Sequence, residues 1–252
     1  MKSALALALE RLGEEPYASV ICYPRSSKTE LKKRLVELQR LGVEAIEFSG
    51  EKRAFNVPIL GKGCVGIVVI AYLNSKKIAL KIRRVDADRS RMQQEAKMLK
   101  KANSVSIGPK FLGVSENFLL MEFVDGDLLP LWLEKRREEA VIRKVFRELL
   151  QQSWCLDKIG LDHGELSHAP KHIIIDLESR PFLVDFETAS VNRRASNVTS
   201  ICHFLFVGGM VAKMLTERLS EIDKNTLIEA LRLHKAERSR ESFERILRLC
   251  VL

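Results

Sequence analysis

The amino-acid sequence predicts an α+β fold in which a β-rich part of the chain precedes an α-rich part. From about Phe55 to Phe123, short apolar runs alternate with glycine or Asn-Ser turns, which is typical of antiparallel strands. After Leu128 the apolar spacing becomes mostly helical, with one interrupting hairpin. The chain has 252 residues, 46% of them hydrophobic, which is enough for one or two domains with hydrophobic cores.

The first 50 residues are predicted to form a separate α/β extension with the order helix, strand, helix, strand. Ala18–Tyr23 is rich in β-forming residues and is predicted as a strand. A capping box at Ser27 and Glu30 begins a helix that Gly42 ends. Val43–Phe48 then alternates like a half-buried strand.

The remaining chain is divided into a β-rich lobe, residues 51–126, and an α-rich lobe, residues 127–252. In the first lobe a helix is predicted at about Asp88–Ala102, and strands at Val57–Leu60, Ile67–Leu73, Lys77–Ile82, Phe111–Val114 and Phe118–Phe123. In the second lobe the hairpin consists of Ile173–Asp176 and Phe182–Asp185. A further helix is predicted to begin near Val198.

Two apolar segments and the cysteines indicate a cytoplasmic protein that does not enter a membrane. Met1–Leu9 resembles a signal peptide, but charged residues follow at once, so we expect a capping helix there. Ile201–Leu215 is shorter than the ~20 residues of a membrane span and is predicted to be a buried helix. Five separated cysteines with no C-x-x-C pair indicate neither a zinc site nor a disulfide framework, and they suit a reducing compartment.

The formal net charge is +9, and the positive excess is concentrated between Lys76 and Lys101. This segment holds ten basic residues against Asp86, Asp88 and Glu95. A basic face of this size can attract RNA, a ribonucleoprotein or an acidic partner. A solvated helix face and a phosphate-binding lobe are the alternatives.

The first motif with chemical meaning is a G-x-G-x-x-G-x-V pattern formed by Gly61, Gly63, Gly66 and Val68. Between two strands, such glycines let backbone N–H groups approach phosphate oxygens. Because Ile67–Leu73 continues as a strand rather than a helix, the pattern does not favour a dinucleotide site. A plain glycine-rich hairpin is the alternative.

The second motif is a lysine inside an apolar strand, in the sequence Ala79-Leu80-Lys81-Ile82. A lysine at this place can neutralise nucleotide phosphates. Glu95, in the following helix, has the charge needed to pair with Lys81, although an exposed helix carboxylate is the alternative for it.

The order of loop, lysine and helix glutamate resembles the amino-terminal lobe of the protein-kinase superfamily. Leu119–Val124 then resembles a kinase hinge. The resemblance implies that Met121 is the gatekeeper, that Glu122 and Val124 hydrogen-bond adenine through their backbones, and that Asp127 reaches the ribose. It also places Val68 and Ala79 among the ATP-binding residues.

Two later motifs continue the resemblance. His163-Gly164-Glu165 is similar to a kinase catalytic loop, especially that of RIO-type and other small archaeal kinases. Asp185-Phe186-Glu187 is similar to the D-F-G motif. The resemblance implies a bilobal protein-kinase-like fold that binds ATP and Mg²⁺, or Mn²⁺, between its lobes. Asp185 would hold the metal, since Mg²⁺ prefers oxygen ligands.

The sequence departs from the kinase pattern at three positions. Glu165 stands where an aspartate base is expected, and we expect it to orient or deprotonate the acceptor hydroxyl. Two residues are inserted in Ser167–Pro170, so that His172 fills the position of the metal-binding asparagine, as in lipopolysaccharide kinases. Glu187 replaces the D-F-G glycine and is expected to offer an oxygen to a second metal ion.

The sequence therefore predicts an ATP- and Mg²⁺-dependent phosphotransferase, of the atypical serine/threonine protein kinase type, in which Lys81 and Asp185 act on the same triphosphate. The segment Thr188–Asn197 is too short for a normal peptide-docking platform, so the hydroxyl acceptor stays open. The alternatives are a catalytically weak nucleotide-binding switch and a ribonucleoprotein-associated factor that uses its basic lobe.

Overall fold

The computed structural model of the protein describes residues 6–136, 138–219 and 222–252. It confirms the α+β class, with a mostly antiparallel sheet and many helices. The chain forms two compact units. Unit 1 contains the described residues up to Lys100 together with Pro109–Phe123, and unit 2 contains Lys101–Gly108 together with the described residues from Val124 onward.

Unit 1 is built on one antiparallel sheet with the order β1-β2-β6-β7-β9-β8, and β5 pairs with β6. Its strands are β1 (Ala6–Ala8), β2 (Val43–Glu47), β3 (Lys52–Ala54), β4 (Val57–Ile59), β5 (Gly61–Lys62), β6 (Gly66–Leu73), β7 (Lys76–Arg83), β8 (Phe111–Val114) and β9 (Phe118–Glu122). The helices that begin in this unit are α1 (Tyr17–Ile21), α2 (Lys28–Arg40) and α3 (Ser90–Asn103).

The β6–β7 hairpin follows directly from the sequence. Asn74 and Ser75 at its turn have φ values of 49° and 60°, as a two-residue turn between right-twisted strands requires. Along both strands, alternate side chains are buried in the main core of unit 1, including Ile67, Val69 and Leu80. The predicted strands and the helix near 88–102 are therefore confirmed in type, with small shifts at their ends.

The amino-terminal segment joins the same sheet, because β2 pairs antiparallel with β6 and β1 pairs with β2. The predicted helix α2 is confirmed, and Ser27 Oγ accepts a hydrogen bond from Glu30 N at 3.1 Å. Two predictions are wrong. Most of Ala18–Tyr23 is helical, since Ala18, Val20 and Ile21 are buried on one side of a short helix and tertiary packing overrides their β preference.

The other wrong prediction concerns the start of the chain. Residues 1–5 of the predicted capping helix lie outside the described residues, while Ala6–Ala8 is the edge strand β1 and Leu9–Gly13 a 3₁₀ turn. Leu7 is buried and its two neighbours are exposed, which is the alternation of a strand rather than the spacing of a helix.

Unit 2 contains a small antiparallel sheet with the order β10-β11-β12 and is otherwise helical. Its strands are β10 (Gly126–Leu128), β11 (Ile173–Asp176) and β12 (Pro181–Leu183). Its helices are α4 (Leu129–Lys135), α5 (Glu139–Lys158), α6 (Asn197–Cys202), α7 (Met210–Thr216), α8 (Lys224–Glu237) and α9 (Arg240–Leu249). The amphipathic α5 forms much of the core, and its Trp154 stacks on Phe243 of α9 with 5.1 Å between ring centroids.

The predicted hairpin of unit 2 is confirmed, but the single helix predicted at Ile201–Leu215 is broken. A π-helical turn at His203–Val207 follows α6, and the chain bends by 63° before α7. Gly208 and Gly209 stand at the break: Gly208 is extended and ends the π-helical turn, and Gly209, with a φ of 92° that favours glycine, precedes α7. Within the described ranges no single helix is long and apolar enough to cross a membrane. The bent pair of Asn197–Val207 and Met210–Thr216 has the length and composition of a membrane span, and only those two criteria favour one.

Candidate functional site

Unit 1 holds a buried ion pair between Lys81 of β7 and Glu95 of α3. Lys81 Nζ lies 2.7 Å from Glu95 Oε2, and the two side chains are 5% and 3% exposed. The pairing predicted from the sequence is therefore present, and the alternative of an exposed helix carboxylate is wrong. Around the first turns of α3, Met92 and Ala96 pack in a small apolar cluster, which fixes the helix face that carries Glu95.

The glycine pattern forms the hairpin β5–β6 next to this lysine. Gly61 pairs with Val68, and Gly63 N donates to Gly66 O at 2.8 Å. A Cβ on Gly66 would lie 2.7 Å from Ile82 O and 3.2 Å from Lys81 Cγ. Gly66 is thus required for the close packing of β6 on β7 beside Lys81, a reason that the sequence pattern did not reveal.

The residues predicted to form the hinge are distributed over both units. In unit 1, Ala79 and Met121 are register partners of β7 and β9, and Met121 packs against the cluster around Met92. The exposed Glu122 side chain accepts a hydrogen bond from Lys110 N at 3.0 Å, and its own N–H donates to Lys110 O at 2.8 Å.

In unit 2, Val124 precedes β10 and Asp127 lies within it. The Asp127 carboxylate contacts Lys135 Nζ through both oxygens, at 2.8 and 2.7 Å. The carboxylate predicted to reach a ribose is therefore engaged by a lysine of α4.

Unit 2 brings together Glu165, His172 and Asp185. His172 Nε2 lies 2.8 Å from Glu165 Oε2, and His172 Nδ1 lies 4.0 Å from Asp185 Oδ2. The imidazole is fully buried, whereas the two carboxylates are 34% and 36% exposed. The 3₁₀ turn Leu166–His168 directly follows Glu165, and β11 begins just after His172. The turn that contains inserted residues thus brings His172 back against Glu165.

The imidazole of His172 is buried, which disfavours its protonated form. Burial lowers its pKa, while the charges of Asp185 and Glu165 act in the opposite direction. Within the described residues neither ring nitrogen makes a well-aligned hydrogen bond, although Nε2 lies within 2.8 Å of Glu165 Oε2. A buried polar group without a well-formed hydrogen bond is costly, so this ring is a candidate for a role beyond packing.

Asp185 is held in a strained backbone conformation, with a φ of 67°. Both of its neighbours are anchored. Val184 N donates to His172 O at 2.9 Å, and Phe186 is buried against the His163 ring at 4.9 Å. Its position is therefore imposed by packing on either side.

The carboxylates that follow β12 suit a magnesium ion. One oxygen of Asp185 and one of Glu187 lie within 4.8 Å of each other. Mg²⁺ is bound in proteins by one or two carboxylates, together with waters and substrate phosphates. Asp185 and Glu187 are thus the residues of unit 2 that would hold it, while the Nε2 atom of His172 contacts Glu165.

No protein-family model matches this chain. The uncharacterized protein MJ1211 of Methanocaldococcus jannaschii is 29% identical over 100 residues, which are 40% of this chain and 84% of that protein. Because that protein is uncharacterized, the likeness assigns no activity.

The His163-Gly164-Glu165 segment is supported by Asn197, a residue that sequence analysis missed. Its Oδ1 accepts a hydrogen bond from His163 N at 2.9 Å, and its Nδ2 donates to Leu161 O at 2.7 Å. Asp157 in turn accepts hydrogen bonds from Asn197 N and Nδ2, both at 2.8 Å. Burial raises the pKa of Asp157, and these hydrogen bonds oppose that effect.

The space beside Gly164 is filled by the segment after Asp185. Arg193 Nε lies 2.9 Å from Asp162 Oδ2, and Arg193 Nη2 donates to Thr188 O at 2.6 Å. Thr188 Oγ1 donates to His163 O at 3.1 Å. Gly164 has a φ of 89°, and a Cβ there would lie 2.8 Å from Thr188 Oγ1. A glycine is thus needed at this position, and Arg193 links the short segment to the loop.

Proposed function

We propose that the protein is an ATP- and Mg²⁺-dependent phosphotransferase of the atypical serine/threonine protein kinase type, with a bilobal kinase-like fold. The observation that carries the proposal is the buried Lys81–Glu95 pair at 2.7 Å, next to the glycine hairpin. A buried ion pair is seldom more stabilising than an apolar pair of the same volume, so stability alone does not explain it. A lysine fixed by a glutamate beside a glycine turn suits the phosphates of ATP.

In this proposal the two units supply different parts of the chemistry. Lys81 binds the phosphates, and Glu95 holds its ammonium group in place. Asp185 and Glu187 of unit 2 provide hard oxygen ligands for Mg²⁺ or Mn²⁺. The metal, when bound, neutralises charge on the transferring phosphoryl group. The adenine contacts are assigned to the backbone of Glu122 and Val124.

Glu165 accepts the proton of the acceptor hydroxyl, or orients that hydroxyl for attack. His172 is a positioning residue, because its ring is fully buried against Glu165, with Nε2 2.8 Å from Glu165 Oε2. The extra methylene of glutamate lengthens the side chain, and contact with a buried ring limits where its carboxylate can go. The role of His172 as a metal ligand, predicted from its place in the sequence, is the alternative.

The protein is assigned to the cytoplasm in the same proposal. All five cysteines are free thiols, and Cys64 is exposed. Exposed free thiols are typical of reducing compartments.

The direct test is transfer of label from γ-labelled ATP by the full-length protein with Mg²⁺ or Mn²⁺. We expect transfer to itself or to added protein, or hydrolysis, and we expect Lys81→Ala and Asp185→Ala to abolish it. Lys77→Ala is the matched control, since Lys77 lies on the same strand but pairs with the largely buried Glu47 at 3.2 Å. Binding of ATP without turnover identifies a nucleotide-binding switch instead, and absence of both rejects the proposal.

A further inference from the structure

The outer face of α2 lines a groove of about 840 Å³ in unit 1. The other wall of this groove is formed by Arg89 and by Glu116–Asn117. Its cationic lining residues are all exposed, namely Lys28, Lys32, Lys33, Arg40 and Arg89. This groove is separate from the Lys81–Glu95 pair, which is buried between β7 and α3.

The carboxylates near the groove are already engaged by other groups. Glu30 Oε1 contacts Arg34 Nε at 2.8 Å, and Glu116 pairs with Arg89 at 3.3 Å. Glu37 accepts hydrogen bonds from the backbone and side-chain nitrogens of Asn117 at 2.9 and 2.7 Å.

The cations on the helix are not engaged in this way. Within the described ranges, no side-chain hydrogen bond or ion pair involves Lys28, Lys32, Lys33 or Arg40. Glu37 keeps its negative charge, because its partner Asn117 is neutral, but the four cations outnumber it and the groove carries a net positive charge.

The helix that carries these cations is rigidly attached to the sheet. The fully buried Arg34 donates to Arg83 O at the end of β7 at 2.6 Å, and to Asn117 Oδ1, in the loop before β9, at 3.0 Å. Asn117 Nδ2 in turn donates to Glu37 Oε2 on the same helix at 2.7 Å. Side chains on such an anchored face are preorganised, which reduces the entropy lost on binding.

We propose that this α2 face binds the phosphodiester backbone of a nucleic-acid duplex. Lys28, Lys32 and Arg40 follow one another at multiples of four residues, and a step of four is about 6 Å along a helix. The three cations are thus about 6 and 12 Å apart along the helix, with Val36 between the last two, and this line of positive charge suits the phosphates of a duplex backbone.

The chemistry of the lining selects this partner over two others. Among the described residues no aromatic side chain lines the groove, so it lacks the stacking platforms that hold single strands. Val36 is the only apolar lining residue in the part of the chain that the structure describes, and it is 38% exposed, so the groove also lacks the buried apolar or aromatic anchors of a protein interface.

The basic segment 76–101 is a weaker candidate for the same partner. Lys77, Lys81, Arg84 and Arg89 are ion-paired with carboxylates. Arg83 is buried and donates to Asn117 Oδ1 at 2.7 Å. Much of the positive charge of this segment is therefore paired with carboxylates or buried. The α2 cations that line the groove are exposed and, within the described residues, not ion-paired, so they are the better candidates for binding phosphates.

The test measures binding of the full-length protein to short mixed-sequence RNA and DNA duplexes over a range of salt concentrations. The test variant carries Lys28→Gln, Lys32→Gln and Lys33→Gln, because glutamine keeps the helix propensity of lysine. The control carries Lys52→Gln, Lys76→Gln and Lys97→Gln, which removes the same charge from exposed positions of the same unit. A poly-glutamate peptide is the competing polyanion.

We expect the test variant to bind at least about tenfold more weakly and to lower the salt slope by about 2 to 3, with the control close to wild type. Comparison of the RNA and DNA arms identifies which duplex is preferred. Equal affinities of the test variant and wild type, an equal loss in the control, or equally tight binding of poly-glutamate would overturn the proposal. Lys81→Ala is expected to bind the duplex normally, so the outcome is independent of the phosphotransferase activity.

Discussion

His172 Nε2 lies 2.8 Å from Glu165 Oε2, and the imidazole is fully buried while the carboxylate reaches solvent. This relationship gives His172 a role that its position in the sequence does not suggest. The kinase resemblance implies a metal-binding asparagine at this position. The imidazole of His172 instead contacts Glu165, the residue proposed as the base. The two roles predict different kinetics.

If His172 positions Glu165, His172→Ala lowers kcat for phosphoryl transfer about 100-fold, because a carboxylate misplaced by ~1 Å loses that much rate. The concentration of Mg²⁺ that gives half-maximal activity stays the same. Steady-state kinetics over a magnesium titration measures both quantities. A large shift in the magnesium requirement would instead show that His172 is a metal ligand.

Glu187→Gln removes one of the two carboxylates assigned to the metal and keeps the side-chain volume. We expect a tenfold or greater rise in the Mg²⁺ concentration needed for activity. Even replacement of a residue that only supports a metal ligand typically lowers metal affinity or activity by about 10- to 100-fold. Glu178→Gln is the matched control, because Glu178 lies at the hairpin turn and pairs with Arg180 at 3.2 Å. An unchanged magnesium titration of Glu187→Gln would remove Glu187 from the site.

His163 makes stability depend on pH. Burial, with a smaller contribution from His172, lowers the pKa of His163 from 6.5 to about 4. The unfolded chain therefore takes up a proton below pH 6.5 that the folded protein does not, so stability is present above that pH and is lost as pH falls toward 4. Between pH 7 and pH 5 this amounts to about 2 kcal/mol.

Urea unfolding at pH 7 and pH 5 measures this effect. His163→Asn cannot titrate, so the variant is expected to lose about 2 kcal/mol less than wild type over the same interval. His234 also has a pKa lowered by burial and titrates in both proteins, so it cancels from the comparison. Equal losses in wild type and variant would contradict the assigned state of His163.

Gly164 and Gly160 form a natural pair for testing the catalytic loop. Both have positive φ, at 89° and 66°, but a Cβ on Gly160 meets nothing within 4 Å. Gly160→Ala is expected to cost only about 1 kcal/mol for the backbone conformation. Gly164→Ala adds a collision with Thr188, so we expect a cost larger by about 1 to 2 kcal/mol together with a loss of activity. Thermal unfolding measures the loss of stability of each variant, and the transfer assay measures the loss of activity. An equal loss of stability in Gly160→Ala and Gly164→Ala would reject the packing argument.

Local signals in the sequence predicted much of unit 1. The cap at Ser27 determines where α2 begins, and the Asn74-Ser75 turn determines how β6 and β7 are joined. Both signals act on adjacent residues, so α2 and the β6–β7 hairpin were predictable. The prediction of a strand at Ala18–Tyr23 was wrong, because the conformation of this five-residue helix depends on the burial of its side chains rather than on their local β preference. The broken helix after Ile201 likewise depends on two glycines whose effect is not fixed by periodicity.

The candidate site was predictable where a motif keeps its members close in the chain, as for the loop, Lys81 and Glu95. The supporting contacts were not. Asn197 binds His163 across 34 residues and Asp157 across 40, and no spacing rule links such positions. Arg193 stabilises the loop from 31 residues beyond Asp162. These contacts arise only when the chain is folded.

Binding of ATP measured by calorimetry tests the central claim most directly. The full-length protein is expected to bind one ATP per chain in a Mg²⁺- or Mn²⁺-dependent manner. Lys81→Ala should weaken this binding at least about tenfold through loss of a buried phosphate contact, while Lys77→Ala stays within about twofold of wild type. Equal affinity of wild type and Lys81→Ala for ATP, or no metal-dependent binding by the wild type, would contradict the assignment of this protein as an ATP-dependent phosphotransferase.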